Sequence, residues 1–225
     1  MTPTLLLWDI DGTLLYSGGA GLRALETSLR EDLGITGDLS DIDWAGRTDR
    51  WITTRVFKKF SIPNTAANAD CFIAGYLSRL PAELDRSAHI LPGITGLLDA
   101  ARDHPAIHQG LLTGNLQRGA RVKLGHFALW DYFSFGAFAD DSPDRNDLGP
   151  HALARATAVT GHNFDLSRVW IIGDTPHDIA CARAIGARAL AVATGHHTLA
   201  QLAAHAPDAL LDNLADRDAF WSLLT

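Results

Sequence analysis

The chain is poor in the features that mark secreted, membrane-spanning and nucleic-acid-binding proteins. Its two cysteines, Cys71 and Cys181, stand alone and far apart among 225 residues. They offer neither a disulfide framework nor the close spacing of a thiolate metal site, and read as packed thiols in a reducing compartment. Long apolar runs are missing too. Hydrophobic residues make up 47% of the chain, yet no run approaches the roughly 20 residues that cross a bilayer, and the N-terminus enters a strand-like segment without a signal-peptide pattern. A cytoplasmic location is expected. Basic clusters are equally scarce. With a net charge of −7 and no basic face to neutralise a phosphate backbone, neither nucleic acid nor a membrane is an expected partner. No internal repeat or low-complexity segment is visible.

What is present is concentrated at the start. Leu5-Leu6-Leu7-Trp8 opens into Asp9-Ile10-Asp11-Gly12-Thr13, so two carboxylates, a glycine and a hydroxyl stand at the mouth of a buried strand. On an ideal strand Asp9 and Asp11 leave the same face, and Gly12 lets the chain turn beyond them. Two like charges sharing a site imply a cation between them or one raised pKa. Both suit phosphoryl transfer, with one carboxylate attacking phosphorus, the other handing a proton to the leaving oxygen, and Mg²⁺ screening the charge. The plainer reading of these residues is an N-capping Asp beside a turn.

Beyond this first stretch the sequence resembles the haloacid dehalogenase superfamily, whose opening motif is Asp-x-Asp-x-Thr/Val after a hydrophobic strand. Thr113-Gly114-Asn115, after the strand-like Ile107 to Leu112, looks like the second motif. Its hydroxyl and the amides that follow imply phosphoryl-oxygen binding. Gly173-Asp174-Thr175-Pro176-His177-Asp178 matches the fourth motif, Gly-Asp-x-x-x-Asp, which in the family holds Mg²⁺ through hard oxygen ligands. The third motif departs from the family: the usual Lys is missing between Phe138 and Ala158. Arg145 is the stand-in, with a planar fork able to hold a carboxylate and a phosphoryl oxygen together, unless it is a plain surface Arg. Lys123, in the apparent helix after Thr113, ranks second.

The resemblance implies an α/β fold, a Rossmann-like core with a parallel sheet flanked by helices, interrupted by an inserted helical cap of the C1 type. The residues agree. Candidate strands at Thr4–Trp8, His108–Leu112, Gly136–Ala139, Arg168–Ile172, Arg188–Val192 and Ala209–Leu211 alternate with helical periodicity at Ala20–Leu33, Gln117–Phe127, Pro150–Val159 and His177–Ile185. The hundred or so residues between Thr13 and Thr113 are too many for one crossover and read as further helix, Asp49–Phe60 and Thr65–Leu80 included. The expected division is a core of residues 1–15 and 89–225 and a cap of residues 16–88. Within that cap, Gly46-Arg47-Thr48-Asp49 resembles a stretch of the phosphoglycolate phosphatase-like members. There Arg47 would reach a substrate carboxylate or phosphate; alternatively Thr48 or Asp49 caps the next helix and Arg47 is solvated. Ser17 and Gly18, at the cap entrance, would approach the substrate.

The mechanism implied is stepwise hydrolysis of a small-molecule phosphate ester. Asp9 is the nucleophile, Asp11 the acid and base, and Thr113 and Arg145 hold the phosphoryl group together with Gly12, Thr13, Gly114 and Asn115. Mg²⁺ sits on Asp9, the backbone carbonyl of Asp11 and Asp174, with Asp178 behind them. Oligomeric state, monomer or homodimer, is left open. Gly19-x-Gly21-x-x-Ala24 imitates a dinucleotide fingerprint, but its glycines begin too long after the strand ends. His177, His196 and His197 lack metal-ligand spacing. Other readings on the same motifs are a sugar phosphomutase of the β-phosphoglucomutase kind and a silent regulator that binds a phosphometabolite. A dehalogenase is disfavoured by Asp11, since a departing halide needs no proton. A phosphonatase would need a cap lysine, and Lys58 and Lys59 look like a solvated face.

Overall fold

The computed structural model describes residues 2–224; Met1 and Thr225, the outer ends of the expected core segments, lie outside them. In chain order the elements are β1 (Thr4–Trp8), β2 (Leu15–Tyr16), α1 (Ala20–Asp32), α2 (Asp49–Lys59), α3 (Ala66–Leu84), β3 (His89–Ile90), α4 (Ile94–Asp103), β4 (Ile107–Leu112) and α5 (Gln117–His126). These are followed by β5 (Gly136–Ala137), α6 (Leu148–Thr160), β6 (Val169–Gly173), α7 (Pro176–Ile185), β7 (Arg188–Val192), α8 (Leu199–Ala203), β8 (Ala209–Leu211) and α9 (Arg217–Ser222).

Six strands form one parallel sheet in the order β5-β4-β1-β6-β7-β8. β1 is buried at every position and pairs with β4 on one side and β6 on the other, so it must be apolar on both faces. Alternation then splits it between two layers. Leu6 and Trp8 pack with Ile94, Leu97, Leu124 and Phe220, under α4, α5 and α9. Leu5 and Leu7 pack with Leu148, Ala152, Ile179 and Ala182, under α6 and α7. Because β4 and β6 flank β1, the carboxyl ends of three central strands bring Asp9, Thr113 and Asp174 to one edge, where the strand order reverses.

The long insertion is helical as expected. α1 and α3 pack through Ala20, Ala24, Tyr76, Leu80 and Leu84, and α2 joins them through Ile52, Val56, Phe57 and Phe72. The chain leaves and re-enters the sheet region through a short antiparallel ribbon, Leu15 opposite Ile90 and Tyr16 opposite His89. Two-residue strands carry too little periodicity to be read from sequence.

Two helix bounds need correction, while β1 stops at Trp8 as expected and leaves Asp9 and Asp11 in the turn at its mouth, beyond the reach of ideal strand geometry. The Asp9 amide donates to Ile172 O at 2.9 Å, and Gly12, at φ 76, reverses the chain. α3 runs through Pro81 to Leu84 instead of ending at Leu80; burial of Leu80 and Leu84 against α1 outweighs the lost backbone bond. α6 begins at Leu148, which puts Pro150 in the first turn, where its missing N–H has no helical partner to lose.

Candidate active site

Asp9 lies 4% exposed at the end of β1, Asp174 at the end of β6, and Asp178 in the first turn of α7, all buried. One oxygen from each lies within 4.8 Å of the others. Arg145 enters from the short 3-10 turn Arg145–Asp147, which Asp144 caps through the Asn146 amide. Its guanidinium pairs with Asp9 Oδ1 at 3.1 Å and with Asp178, and donates to Gly46 O at 3.0 Å. Asp178 also accepts from the Thr175 amide at 3.0 Å and hydroxyl at 2.7 Å. It therefore steers Arg145 and closes the capping box of α7. One guanidinium does not neutralise three carboxylates. Burial pushes Asp9 up to about 6, against the pull of Arg145 and with help from Asp178 and Asp11. It holds Asp174 well above the carboxylate range, with Asp178 and Asp9 adding to the effect.

Asp11 has different company. Lys123, 5% exposed on α5, donates to Asp11 Oδ2 at 2.6 Å and to Asn115 Oδ1 at 2.7 Å. Asn115 Nδ2 reaches the same Asp11 oxygen at 2.9 Å and Thr113 Oγ1 at 2.9 Å. Burial would raise Asp11, but the Lys123 ammonium and the hydrogen bonds from Lys123, Asn115 and Ser17 more than offset it and hold its pKa below the ordinary value. Both candidate cations thus lie in the site, on different carboxylates. Lys123 sits within ten residues of Thr113, and its helical spacing on α5 aims it back at the motif.

The remaining expected residues gather around the same cleft. Thr13 is buried, with its hydroxyl 3.4 Å from Asp174 Oδ1. Thr113 Oγ1 accepts from the Asn115 amide at 3.3 Å. The insertion presses directly on this loop. The Asp49 amide donates to Gly114 O at 2.7 Å, and Asp49 Oδ2 accepts from the Leu116 amide at 2.7 Å. A side chain at Gly114 would stand 2.2 Å from Arg47 O. Thr48 caps α2 through the Trp51 amide at 3.1 Å and donates to Pro143 O at 2.6 Å. Thr48 is therefore the cap, while Arg47 lines the cleft with its guanidinium 4.5 Å over Trp51 and 3.4 Å from Asp43. Among the described residues Arg47 Nε is buried without a hydrogen-bond partner. Gly18 O accepts from Arg23 at 2.5 Å.

Sequence reasoning passed over Thr194 and Gly195, at the end of β7. Thr194 Oγ1 donates to Gly12 O at 2.5 Å. A Cβ at Gly195 would lie 1.7 Å from Asp174 Oδ2, and one at Gly12 2.5 Å from it. The signal was their position just beyond a parallel strand on the switch-point side of the sheet. Asp49 was weighed only as a helix cap, yet burial pushes its carboxyl up to about 6, against Lys123 and the Leu116 amide.

Asp9, Asp11, Gly114, Asn115, Lys123, Arg145 and Asp174 border a cavity of about 470 Å³ shared by the strand ends and the insertion. Its acid end fits a hard divalent cation: Asp9 and Asp174 offer oxygen donors in excess of the positive charge nearby, and two glycines leave the Asp174 carboxylate open.

The sequence profile of the haloacid dehalogenase-like hydrolases matches residues 6–183, and the chain belongs to that family. It is a hydrolase whose curated relatives are phosphatases. It is 24% identical over 217 residues to phosphoglycolate phosphatase 1 of Pseudomonas aeruginosa, covering 95% of this chain and 78% of that one. With the phosphoglycolate phosphatase of Rhodospirillum rubrum it shares 27% identity over 237 residues, covering 98% and 89%. Its fold is similar to that of CbbY from Rhodobacter sphaeroides, solved in complex with phosphate, at a TM-score of 0.75, 18% identity and 96% coverage of both chains. No helix among the described residues is long and apolar enough to cross a membrane.

Proposed function

We propose that this protein hydrolyses a small-molecule phosphate monoester in the cytoplasm through an aspartyl-phosphate on Asp9. The observation that carries the reading is a buried Asp9, paired with Arg145 at 3.1 Å and flanked by Asp174, on a cavity shared by the strand ends and the insertion. Free thiols at Cys71 and Cys181 suit the compartment. When bound by Asp9, Asp174 and the backbone carbonyl of Asp11, Mg²⁺ supplies positive charge that offsets the repulsion between the nucleophile and the phosphoryl oxygens.

The chain's own groups do the rest. Asp9 attacks phosphorus in line while Arg145, the Thr113 hydroxyl and the amides around Gly114 and Asn115 hold the phosphoryl oxygens. Gly12 and Thr13 shape the turn beneath them. Asp178 fixes Arg145 at the proper distance. Asp11 passes a proton to the departing alkoxide and takes one from the water that cleaves the aspartyl-phosphate. Its lowered pKa favours the second half, and its contact with Lys123 governs the first. Residues 16–88 act as a cap that hinges on the β2–β3 ribbon over a core of 1–15 and 89–225, excluding bulk water. Ser17, Gly18 and Arg47 approach the substrate from the cap side, and the unpartnered Arg47 Nε suits a phosphoryl or ester oxygen.

The test is phosphate release with and without Mg²⁺ over a panel of monoesters including phosphoglycolate and sugar phosphates, with Asp9→Asn as the blank. Metal-dependent release that vanishes in the blank supports the reading. Phosphoryl transfer to a second hydroxyl with no free phosphate marks a mutase, and no reaction at all marks a silent binder.

A further inference from the structure

Resting on that reading, we propose that the substrate's leaving group is a branched or long apolar alcohol, and that the enzyme selects against esters whose alcohol carries a carboxylate, phosphoglycolate included. Away from the strand ends, the 470 Å³ cavity is walled by Leu22 and Leu25 of α1, Leu39 and Ile42 of the following loop, and Ile52 and Val56 of α2. These are members or neighbours of the insertion's own hydrophobic cluster, so the cavity cuts into an apolar core. Its volume lies in the range that takes ligands of drug size, well beyond the two-carbon alcohol of phosphoglycolate.

Charge is distributed accordingly. Among the described residues the Lys and Arg side chains on this cavity are Arg47, Lys123 and Arg145. Arg145 is held by Asp9 and Asp178, and Lys123 by Asp11 and Asn115. Arg47 packs its backbone against Gly114, at the phosphoryl end, and turns its guanidinium to Asp43 and Trp51, which leaves its buried Nε without a partner among the described residues, and the reading above gives that Nε to a phosphoryl or ester oxygen. The aliphatic wall offers a carboxylate no partner, and an unpaired charge pushed against it loses its hydration without compensation. An alkyl group loses only unfavourable contact with water. Chemistry balances as in any monoester hydrolysis. The Asp9–phosphorus bond forms as the alkoxide leaves with a proton from Asp11, then water breaks that bond and returns a proton to Asp11.

The experiment compares alkyl esters of similar leaving-group acidity, so that binding and not bond strength sets the order. Wild-type kcat/KM is measured with Mg²⁺ for ethyl, butyl and hexyl phosphate, and for isobutyl phosphate beside its near-isostere phosphoglycolate. Expected is a rise of about fourfold per methylene until the wall is reached, and isobutyl phosphate about tenfold or more ahead of phosphoglycolate. Val56→Thr and Leu22→Asn reduce the hexyl-to-ethyl ratio severalfold; an unchanged ratio in both folded variants rejects the wall as the leaving-group site. A flat alkyl series, or phosphoglycolate ahead of isobutyl phosphate, overturns the proposal while leaving the phosphatase standing. Should no ester be hydrolysed, the phosphatase reading falls, and calorimetry with hexyl- and ethylphosphonate still decides the pocket: tighter hexylphosphonate binding supports it and equal binding rejects it.

Discussion

Asp9 and Asp11 stand two residues apart in the chain and are driven in opposite directions. Asp9 is buried among carboxylates with a shared guanidinium, and its pKa rises to about 6. Asp11 is half-buried beside a lysine and an amide of its own, and its pKa falls. One half of the site is therefore short of positive charge and the other is supplied with it. Environments that separate two like acids assign them different work. The half that lacks charge suits a metal and a nucleophile, and the compensated half suits proton traffic. The two cations are not interchangeable: Arg145 spans two carboxylates and a carbonyl with its fork, and Lys123 aims a point charge at one carboxylate and one amide.

That contrast can be broken from either side. Asp9→Asn removes the proposed nucleophile while keeping the shape, and phosphate release should fall roughly 10⁴-fold or more with the circular dichroism spectrum and thermal midpoint retained. Arg145→Met leaves Asp9 and Asp178 facing each other without a counter-ion. Breaking a buried pair costs about 3–5 kcal/mol, so the midpoint of a thermal melt should drop by roughly 10 °C, and activity should be lost with it. A smaller loss would mean that Asp178 is neutralised by another route.

On the other half, Lys123→Met removes the group that holds Asp11 low and leaves the burial that pushes it up. Turnover should fall about 10- to 100-fold, and the limb of the kcat/KM profile that reports Asp11 should move to higher pH, whether it acts there as base or acid. A limb that stays in place would detach Asp11 from the profile.

The smallest effect is expected at Asp49. Its folded pKa of about 6 lies above its ordinary value of 3.8, so between these values the folded state holds the extra proton. Its contribution to stability is best below about pH 4 and declines as pH rises through 6. Asp49→Asn keeps an acceptor for the Leu116 amide and removes that decline. Chemical denaturation should show the variant gaining on the wild type from pH 4 to 7 by on the order of 1 kcal/mol, allowing for partial exposure. A constant difference would show that Asp49 does not titrate in this range.

Much of the sheet was legible because β1 and β6 are buried on both faces, and Leu5 to Trp8 and Val169 to Ile172 are apolar throughout. The acidic motifs were legible because each follows such a strand at once. The β2–β3 ribbon was not, since its pairing is fixed by where the insertion leaves and re-enters. The end of α3 lies beyond the expected Leu80 because the burial of Leu84 against α1 is a tertiary contact. Thr194 and Gly195 carried no motif, and the contact of Thr194 with Gly12 crosses most of the chain.

The sequence by itself determined the alternation of strands and helices, the family, and the identity of the acids at the strand ends, because these depend on local pattern and on order along the chain. Only the tertiary structure decided which cation serves which acid, that Asp49 locks the insertion onto the Gly114 loop, and that six aliphatic side chains wall the far end of the cavity. Those depend on groups that meet across long stretches of intervening chain, such as Asp49 with the Leu116 amide and Asp11 with Lys123, where spacing in sequence carries no distance in space.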